Sequence, residues 1–316
     1  MTAPLVSVLM PVYNAERYVA QAIESILNQT FSNFEFLIID DGSTDRSLKI
    51  LQQYAVRDQR IRLHSRPNTG LAVALNEMLQ TARGELIARM DADDIALPDR
   101  FERQVSFLGD HAEVVCVGGS YEMIDDRGRF LTTLSVASDD PTIQQSALAG
   151  HGSICHPTAM MRRSALVQIG GYDASLLPAE DVDLWLKLGE LGKLANLSAP
   201  VLKYRLHPGS VSAQACAIQR QQARKACELA WKRRKIQGSF EADDLWRPGK
   251  DRRSRHQFML QYGWWAFESG NRSTAALYGL KAVCLLPHYL EGWKLLACAL
   301  LKSQKSKEAS LNQNQT

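Results

Sequence analysis

The chain has 316 residues, 45% of them apolar, and a formal net charge of +3. That length supports one large core plus a smaller appendage, and with no run of 18 apolar residues a membrane-spanning helix is not expected. The charge is split: residues 1–219 carry 19 Lys/Arg against 26 Asp/Glu, whereas residues 220–256 carry 12 against 5, which marks a composition boundary near residue 215.

Apolar runs at residues 5–12, 34–39, 61–64 and 86–90 are short and rich in Val, Ile, Leu and Phe. Helical patterns at 15–29, 44–54 and 70–82 separate them. Strands alternating with helices predict βαβ units and a parallel sheet covered on both faces. Right-handed crossovers then put every strand's carboxyl end on one edge, where open α/β sheets bind ligands. Polar clusters follow the four strands directly: Tyr13-Asn14, Asp40-Asp41-Gly42-Ser43, Asn68-Thr69-Gly70 and Asp91-Ala92-Asp93-Asp94. Strand direction alone therefore gathers carboxylates and a glycine turn on one rim. The first ten residues lack a basic lead and a small-residue cleavage site, so they read as a strand and the protein as cytoplasmic.

Residues 113–215 are less regular, with short apolar pieces at 114–117 and 130–134 and a helix near 181–190. From 216 onward the pattern is helical. Gly263, Ala266, Gly270, Ala276, Ala282 and Pro287 have spacings like those of one tetratricopeptide unit and part of another. One unit cannot bury its own face, so a helical cap is expected rather than a repeat array. The tail 303–316 is expected to be disordered. Six scattered cysteines without a C-x-x-C pair read as reduced thiols.

Asp91-x-Asp93 at a strand end supplies the one or two carboxylates that Mg²⁺ or Mn²⁺ takes alongside substrate phosphates. Helix capping before Pro98 is the local alternative. A calcium loop is not, because Ile95 and Ala96 stand where it needs an oxygen ligand and a glycine. Asp41 offers acceptors to a nucleobase imide, and Gly42 permits a close turn. Capping explains Ser43 or Thr44, but not two consecutive carboxylates at a sheet rim.

In order along the chain, Val6-Ser7-Val8-Leu9-Met10-Pro11-Val12-Tyr13-Asn14, Gln29-Thr30-Phe31, Ile39-Asp40-Asp41-Gly42-Ser43-Thr44-Asp45, Asn68-Thr69-Gly70, Gly84-Glu85, Met90-Asp91-Ala92-Asp93-Asp94 and Leu97-Pro98-Asp99-Arg100 resemble glycosyltransferase family 2. The likeness runs to about residue 213. It implies a GT-A fold, α/β and Rossmann-like, with a mostly parallel sheet and flanking helices. That domain would span 1–215, with a nucleotide-binding half at 1–112 and an acceptor half at 113–215, and an α-helical region would follow at 216–316.

The resemblance also implies an inverting transfer from a nucleotide-sugar donor. Pro11, Tyr13 and Asp41 would cradle the base and Asn76 and Asp91 would lie near the ribose, with Asn14, Asn68, Gly70 and Ala92 completing the donor site. Asp93, with Asp91, would hold a divalent cation, Mn²⁺ or Mg²⁺, on the diphosphate. Glu180-Asp181 resembles the family's E-D motif and makes Asp181 the general base; an acidic first helical turn is the local alternative. Tyr204-Arg205-Leu206-His207 through Ser212 matches a late family segment. There His207 could complete the metal shell, or Arg205 and Ser210 could order a loop. His156 is expected to serve local packing.

The basic segment from Trp231 to Arg255 reads first as a solvated helix face and second as an attraction to anionic membrane or a lipid-linked acceptor. No motif supports nucleic-acid binding. Dinucleotide and Walker glycine loops are missing, as are the Q-x-x-R-W motif and membrane helices of processive synthases, so single additions are expected. Two rivals stay open: a nucleotidyltransferase of the same fold, and a catalytically silent nucleotide-sugar-binding or scaffolding protein. The base is expected to be uracil. The sugar and the glycan or lipid-linked acceptor are not legible.

Overall fold

The computed structural model describes residues 3–207, 216–242 and 251–301. Ser210, residues 243–250 of the basic segment and the tail 303–316 lie outside them. Two compact units are present: Met1–Met123 with Thr133–Leu245, and Ile124–Thr132 with Trp246–Thr316.

In the first unit, β1 (Val6–Val12), β2 (Phe34–Asp41), β3 (Ile61–Arg66) and β4 (Leu86–Arg89) are joined through α1 (Val19–Leu27), α2 (Ser47–Arg57) and α3 (Leu71–Thr81). β1 pairs in parallel with β2 and β4, and β2 with β3. Every residue of β2 is buried, as its Phe36–Ile39 apolar run requires for a strand covered on both faces. The pleat sorts them. Val6, Val8, Met10, Phe36 and Ile38 pack with Ile23 and Ile26 of α1, while Leu9, Leu37 and Ile39 pack with Leu75 and Met78 of α3.

The sheet continues through β5 (Ile95–Ala96), β6 (Val114–Ile124), β7 (Phe130–Leu134), β8 (Met160–Arg162) and β9 (Lys193–Arg205) in the order β3-β2-β1-β4-β8-β6-β9-β5, with β7 beside β6. β8 is antiparallel to both β4 and β6, and β5 to β9. The sheet is thus parallel from β3 to β4 and antiparallel at the β4–β8, β8–β6 and β9–β5 pairings. The reversal falls where the loop after β4 carries Asp91 to Asp94.

Helices α4 (Arg100–Asp110), α5 (Asp140–Leu148), α6 (Arg163–Gln168), α7 (Glu180–Leu188) and α8 (Cys216–Arg234) follow in chain order. The composition boundary at 215 does not separate the two units. α8 belongs with the first, because Ala226, Cys227 and Ala230 lie in one cluster with Ala147, Leu176 and Leu186. In the second unit, α9 (Arg252–Glu268), α10 (Arg272–Leu285) and α11 (Leu290–Leu301) close around Ala266, Ala275, Leu295 and Ala299. The 124–132 segment joins them through Asp125, which accepts from Tyr278 Oη at 2.9 Å and Arg129 Nε at 2.7 Å.

Candidate active site

The rim begins with two loops that hold each other. Asn14 sits at φ 49° after β1. Its Oδ1 accepts from Thr44 N at 2.8 Å, and its own N–H donates to Ser43 Oγ at 3.0 Å. Asn14 is thereby spent on the loop after β2. Asp41 is similarly committed. Its Oδ1 accepts from Thr69 N at 3.1 Å and faces Arg66 Nη2 at 3.0 Å, while its Oδ2 accepts from Gly70 N at 2.9 Å. Gly42 turns between them at φ +77°, where an added Cβ would stand 2.6 Å from Asn68 N; only glycine fits that approach.

Tyr13, 55% exposed, and exposed Asn68 stand on this rim, with half-buried Pro11 at the end of β1 and Gly70 leading into α3. Asn76 points elsewhere: its Nδ2 donates to Tyr172 O and its Oδ1 accepts from Tyr172 N, each at 2.8 Å. Both amide groups clasp the Gly170-Gly171-Tyr172 turn.

The loop after β4 gathers the acids. Carboxylate oxygens of Asp91, Asp93 and Asp94 all lie within 4.8 Å of one another. Ala92 between them is buried in the core. His207 Nε2 meets Asp93 Oδ2 at 2.7 Å. Arg205 locks the loop from behind, with N on Asp94 Oδ1 at 2.8 Å and Nε on Asp93 O at 2.7 Å. Tyr18 lies against both, 4.6 Å from the Arg205 guanidinium and 5.0 Å from the His207 ring.

Asp94 is 1% exposed and its Oδ2 has no hydrogen-bond partner among the described residues. Burial, then the charges of Asp93 and Asp91, push its carboxyl well above the ordinary range. Three converging carboxylates with an unsatisfied buried oxygen are the hard donor set that a divalent cation takes. The residues therefore fit such an ion.

Asp181 opens α7 in the first turn, where its Oδ1 accepts its neighbour's Val182 N–H at 2.9 Å. Burial raises it to about 6; Val182 and the Arg89 charge work against that rise, and the Asp91 charge adds to it. Glu180 is 4% exposed, its Oε2 has no hydrogen-bond partner among the described residues, and burial followed by the Asp181 charge raises it to about 8. The base candidate and the acid cluster thus lie close enough to feel each other's charge. Asp183, also in that first turn, has a different role: it pairs with Lys187 Nζ at 2.6 Å.

Two arginines of this site had no role assigned from the sequence: Arg89, which was not singled out, and Arg100, which appeared only within a motif. Arg89 at the end of β4 is 3% exposed and pairs with Asp91 through Nη1, within reach of the Glu180 carboxyl. Its signal was available: on a strand, Arg89 and Asp91 are two apart and share a face. Arg100, fully buried, donates Nη2 to Arg89 O at 2.9 Å and Nε to Gln104 Oε1 at 3.0 Å. His156 is buried with Nε2 at 3.1 Å from Tyr172 Oη and its ring edge-on to Trp185 at 5.8 Å. Burial and the Arg89 charge hold its pKa well below the usual imidazole range, so the ring is neutral.

A family model described as Glycosyl transferase family 2 matches residues 7–170. The chain belongs to glycosyltransferase family 2. Putative glycosyltransferase EpsE of Bacillus subtilis is 39% identical over 210 residues, spanning 65% of this chain and 74% of that one. The O-antigen biosynthesis glycosyltransferase WbnJ of Escherichia coli is 33% identical over 217 residues, spanning 67% and 84%. The crystal structure of S. aureus TarS 1–349 in complex with UDP-GlcNAc aligns with 93% of this chain and 79% of its own at a TM-score of 0.56 and 19% identity, a likeness of fold. The family match covers the donor half and stops ten residues before Glu180, so the roles on the acceptor side rest on the geometry.

Proposed function

We propose that this glycosyltransferase is inverting and dependent on a divalent cation, moving a sugar from a nucleoside diphosphate, UDP first, to a hydroxyl of a surface polysaccharide or lipid-linked glycan. The observation that carries this reading is the mutual reach of Asp181 and the Asp91–Asp93–Asp94 cluster on one rim. TarS with UDP-GlcNAc supports the donor class, and the O-antigen role named for WbnJ supports the acceptor class. No helix among the described residues is long and apolar enough to cross a membrane.

In this reading Asp91 and Asp93, with His207, hold the cation, which when bound neutralises the diphosphate of the leaving group. The acceptor oxygen forms its bond to the anomeric carbon as the bond from that carbon to the phosphate oxygen breaks. The acceptor proton passes to the Asp181 carboxylate, and one displacement inverts the centre. Glu180, at about 8, stays protonated near neutrality, so Asp181 ionises without a second full negative charge beside it. Asn14, Asp41 and Asn76 act through the loops they hold, leaving Tyr13 as the ring for a base to lie against.

Binding and hydrolysis of UDP-, GDP- and dTDP-sugars, with and without Mn²⁺, test the reading. Metal-dependent turnover of one donor is expected, lost in Asp93→Ala. Asp181→Asn should keep donor binding while losing turnover. If no nucleotide sugar binds under any metal, the mechanism fails; if Asp181→Asn turns over normally, the base assignment fails.

A further inference from the structure

The basic segment divides on inspection into cations that the fold uses and cations that it leaves over. Arg233 meets Glu190 at 3.0 Å, and Arg234 donates to Leu186 O at 2.7 Å and to Gln144 Oε1 at 2.8 Å. Arg220 and Arg224 lie over the Phe240 ring. Trp231 is committed too, its indole N–H donating to Leu148 O at 3.1 Å. These groups fasten α8 and the segment after it to the first unit.

Lys225, Lys232 and Lys235 are exposed and have no ion pair among the described residues. On a helix with about 3.6 residues per turn, Ile218, Lys225, Leu229 and Lys232 follow one line. That line lies opposite the buried Ala223, Cys227 and Ala230 side. Ile218 is 55% exposed, Leu229 39%, and Ile236 just past the helix 43%. Between residues 216 and 235 the chain carries seven Arg/Lys against the single acid Glu228. Exposed Glu228 lies one turn from both Lys225 and Lys232, so with Lys235 the face keeps a net positive charge beside its exposed aliphatic side chains.

We propose that the outward face of α8, made of Ile218, Lys225, Leu229 and Lys232 with Lys235 at its end, docks on an anionic lipid bilayer. Charge complementarity selects the partner. Lysines near a membrane surface are drawn to anionic headgroups, and aliphatic side chains on the same line enter the boundary between headgroups and acyl chains. Lysine stems can lie along that boundary while their ammonium groups stay in water. The inference does not depend on the transfer chemistry: Asp93→Ala should dock as the native chain does.

The test is co-sedimentation of the full chain with phosphatidylcholine vesicles, with and without phosphatidylglycerol, at low and high salt. Binding is expected only with phosphatidylglycerol and should weaken with salt. Each lysine contributes roughly fivefold near such a surface, so Lys225→Gln/Lys232→Gln/Lys235→Gln should weaken partitioning on the order of a hundredfold. Leu229→Ser should weaken it severalfold with its salt dependence unchanged. Circular dichroism and thermal melting should match the native chain for both variants, because all four positions are exposed. The proposal is overturned if the native chain ignores phosphatidylglycerol vesicles at low salt, if the triple variant binds them equally, or if the lysines support binding to duplex DNA but not to vesicles.

Discussion

Replacing Asp181 by Asn should remove turnover and at the same time make the first unit more stable. Burial holds the Asp181 carboxyl at about 6 against an ordinary 3.8, so the folded protein binds this proton more tightly than the unfolded chain does. Its stabilising contribution is therefore complete below the unfolded value and is lost as pH rises through the folded one. The gap between 3.8 and about 6 corresponds to a ceiling of about 3 kcal/mol near neutral pH. The side chain is only partly buried, and solvent screening lowers the expectation to about 1–2 kcal/mol. Asparagine keeps an oxygen for the Val182 N–H and carries no charge, so it escapes the penalty. Removing the Asp181 charge also eases ionisation of Glu180, an effect of the same sign. Denaturant unfolding of both proteins, with chelator present, should show the variant gaining on the native chain between about pH 4 and about pH 7.5. A variant no more stable at neutral pH, or a difference independent of pH, would refute the reasoning.

The same carboxylate sets the pH dependence of turnover: kcat/KM should fall about tenfold per pH unit below about 6, and a rate flat down to about pH 5 would exclude Asp181 as the base. Asn76→Ala strips both backbone partners from Tyr172 and should cost about 1–3 kcal/mol in denaturant unfolding. Gly171→Ala should cost about 1–3 kcal/mol, since its φ is +75° and an added Cβ would collide with Asn76 Oδ1. The double variant should cost less than the sum, because truncating Asn76 removes that collision; strict additivity would show the clasp to be misassigned. Arg100→Met leaves Arg89 O and Gln104 Oε1 without a donor inside the core, and a thermal melt should show a loss of at least about 2 kcal/mol.

The parallel half of the fold was legible because β1, β2 and β4 are almost wholly buried and carry compact apolar runs, while the edge strand β3, with only Ile61 fully buried, follows at the same strand–helix spacing. The antiparallel half was not. β8 is three residues long, and its place between β4 and β6 depends on pairings across more than forty residues of chain. The same reason hid the partners of the polar side chains. Asn76 lies 96 residues from Tyr172, and Asp93 lies 114 from His207. Strand spacing could mark Asn14 and Asp41 as rim residues, and the family resemblance added Asn76, but neither could show that their side chains hold loops. Membership of α8 in the first unit was hidden for a different reason. Its buried face is Ala223, Ala226, Cys227 and Ala230, small residues that give little hydrophobic contrast yet allow a helix to lie close. The charge shift at 215 reports the helix's outer side and says nothing about what its inner side touches.

The electrostatics of the rim make the case for a cation more strongly than any one ligand does. Asp91, Asp93, Asp94, Glu180 and Asp181 converge on a region where Arg89 pairs with Asp91 and the equally buried Arg205 and Arg100 lie close by, five carboxyl groups against three arginines. The protein alone relieves this by protonation, which is why burial and mutual repulsion raise Asp94 and Glu180 together. A nucleoside diphosphate adds further negative charge to the same rim. Each unit charge placed about 4 Å from a carboxylate is opposed by roughly 4 kcal/mol at the effective dielectric of a protein surface. No hydrogen bond from Tyr13 or a loop N–H offsets several such terms, since each is worth about 1–3 kcal/mol. Under the proposed chemistry the donor must therefore enter with its cation, and the acid cluster rejects the bare diphosphate as firmly as it holds the complexed one.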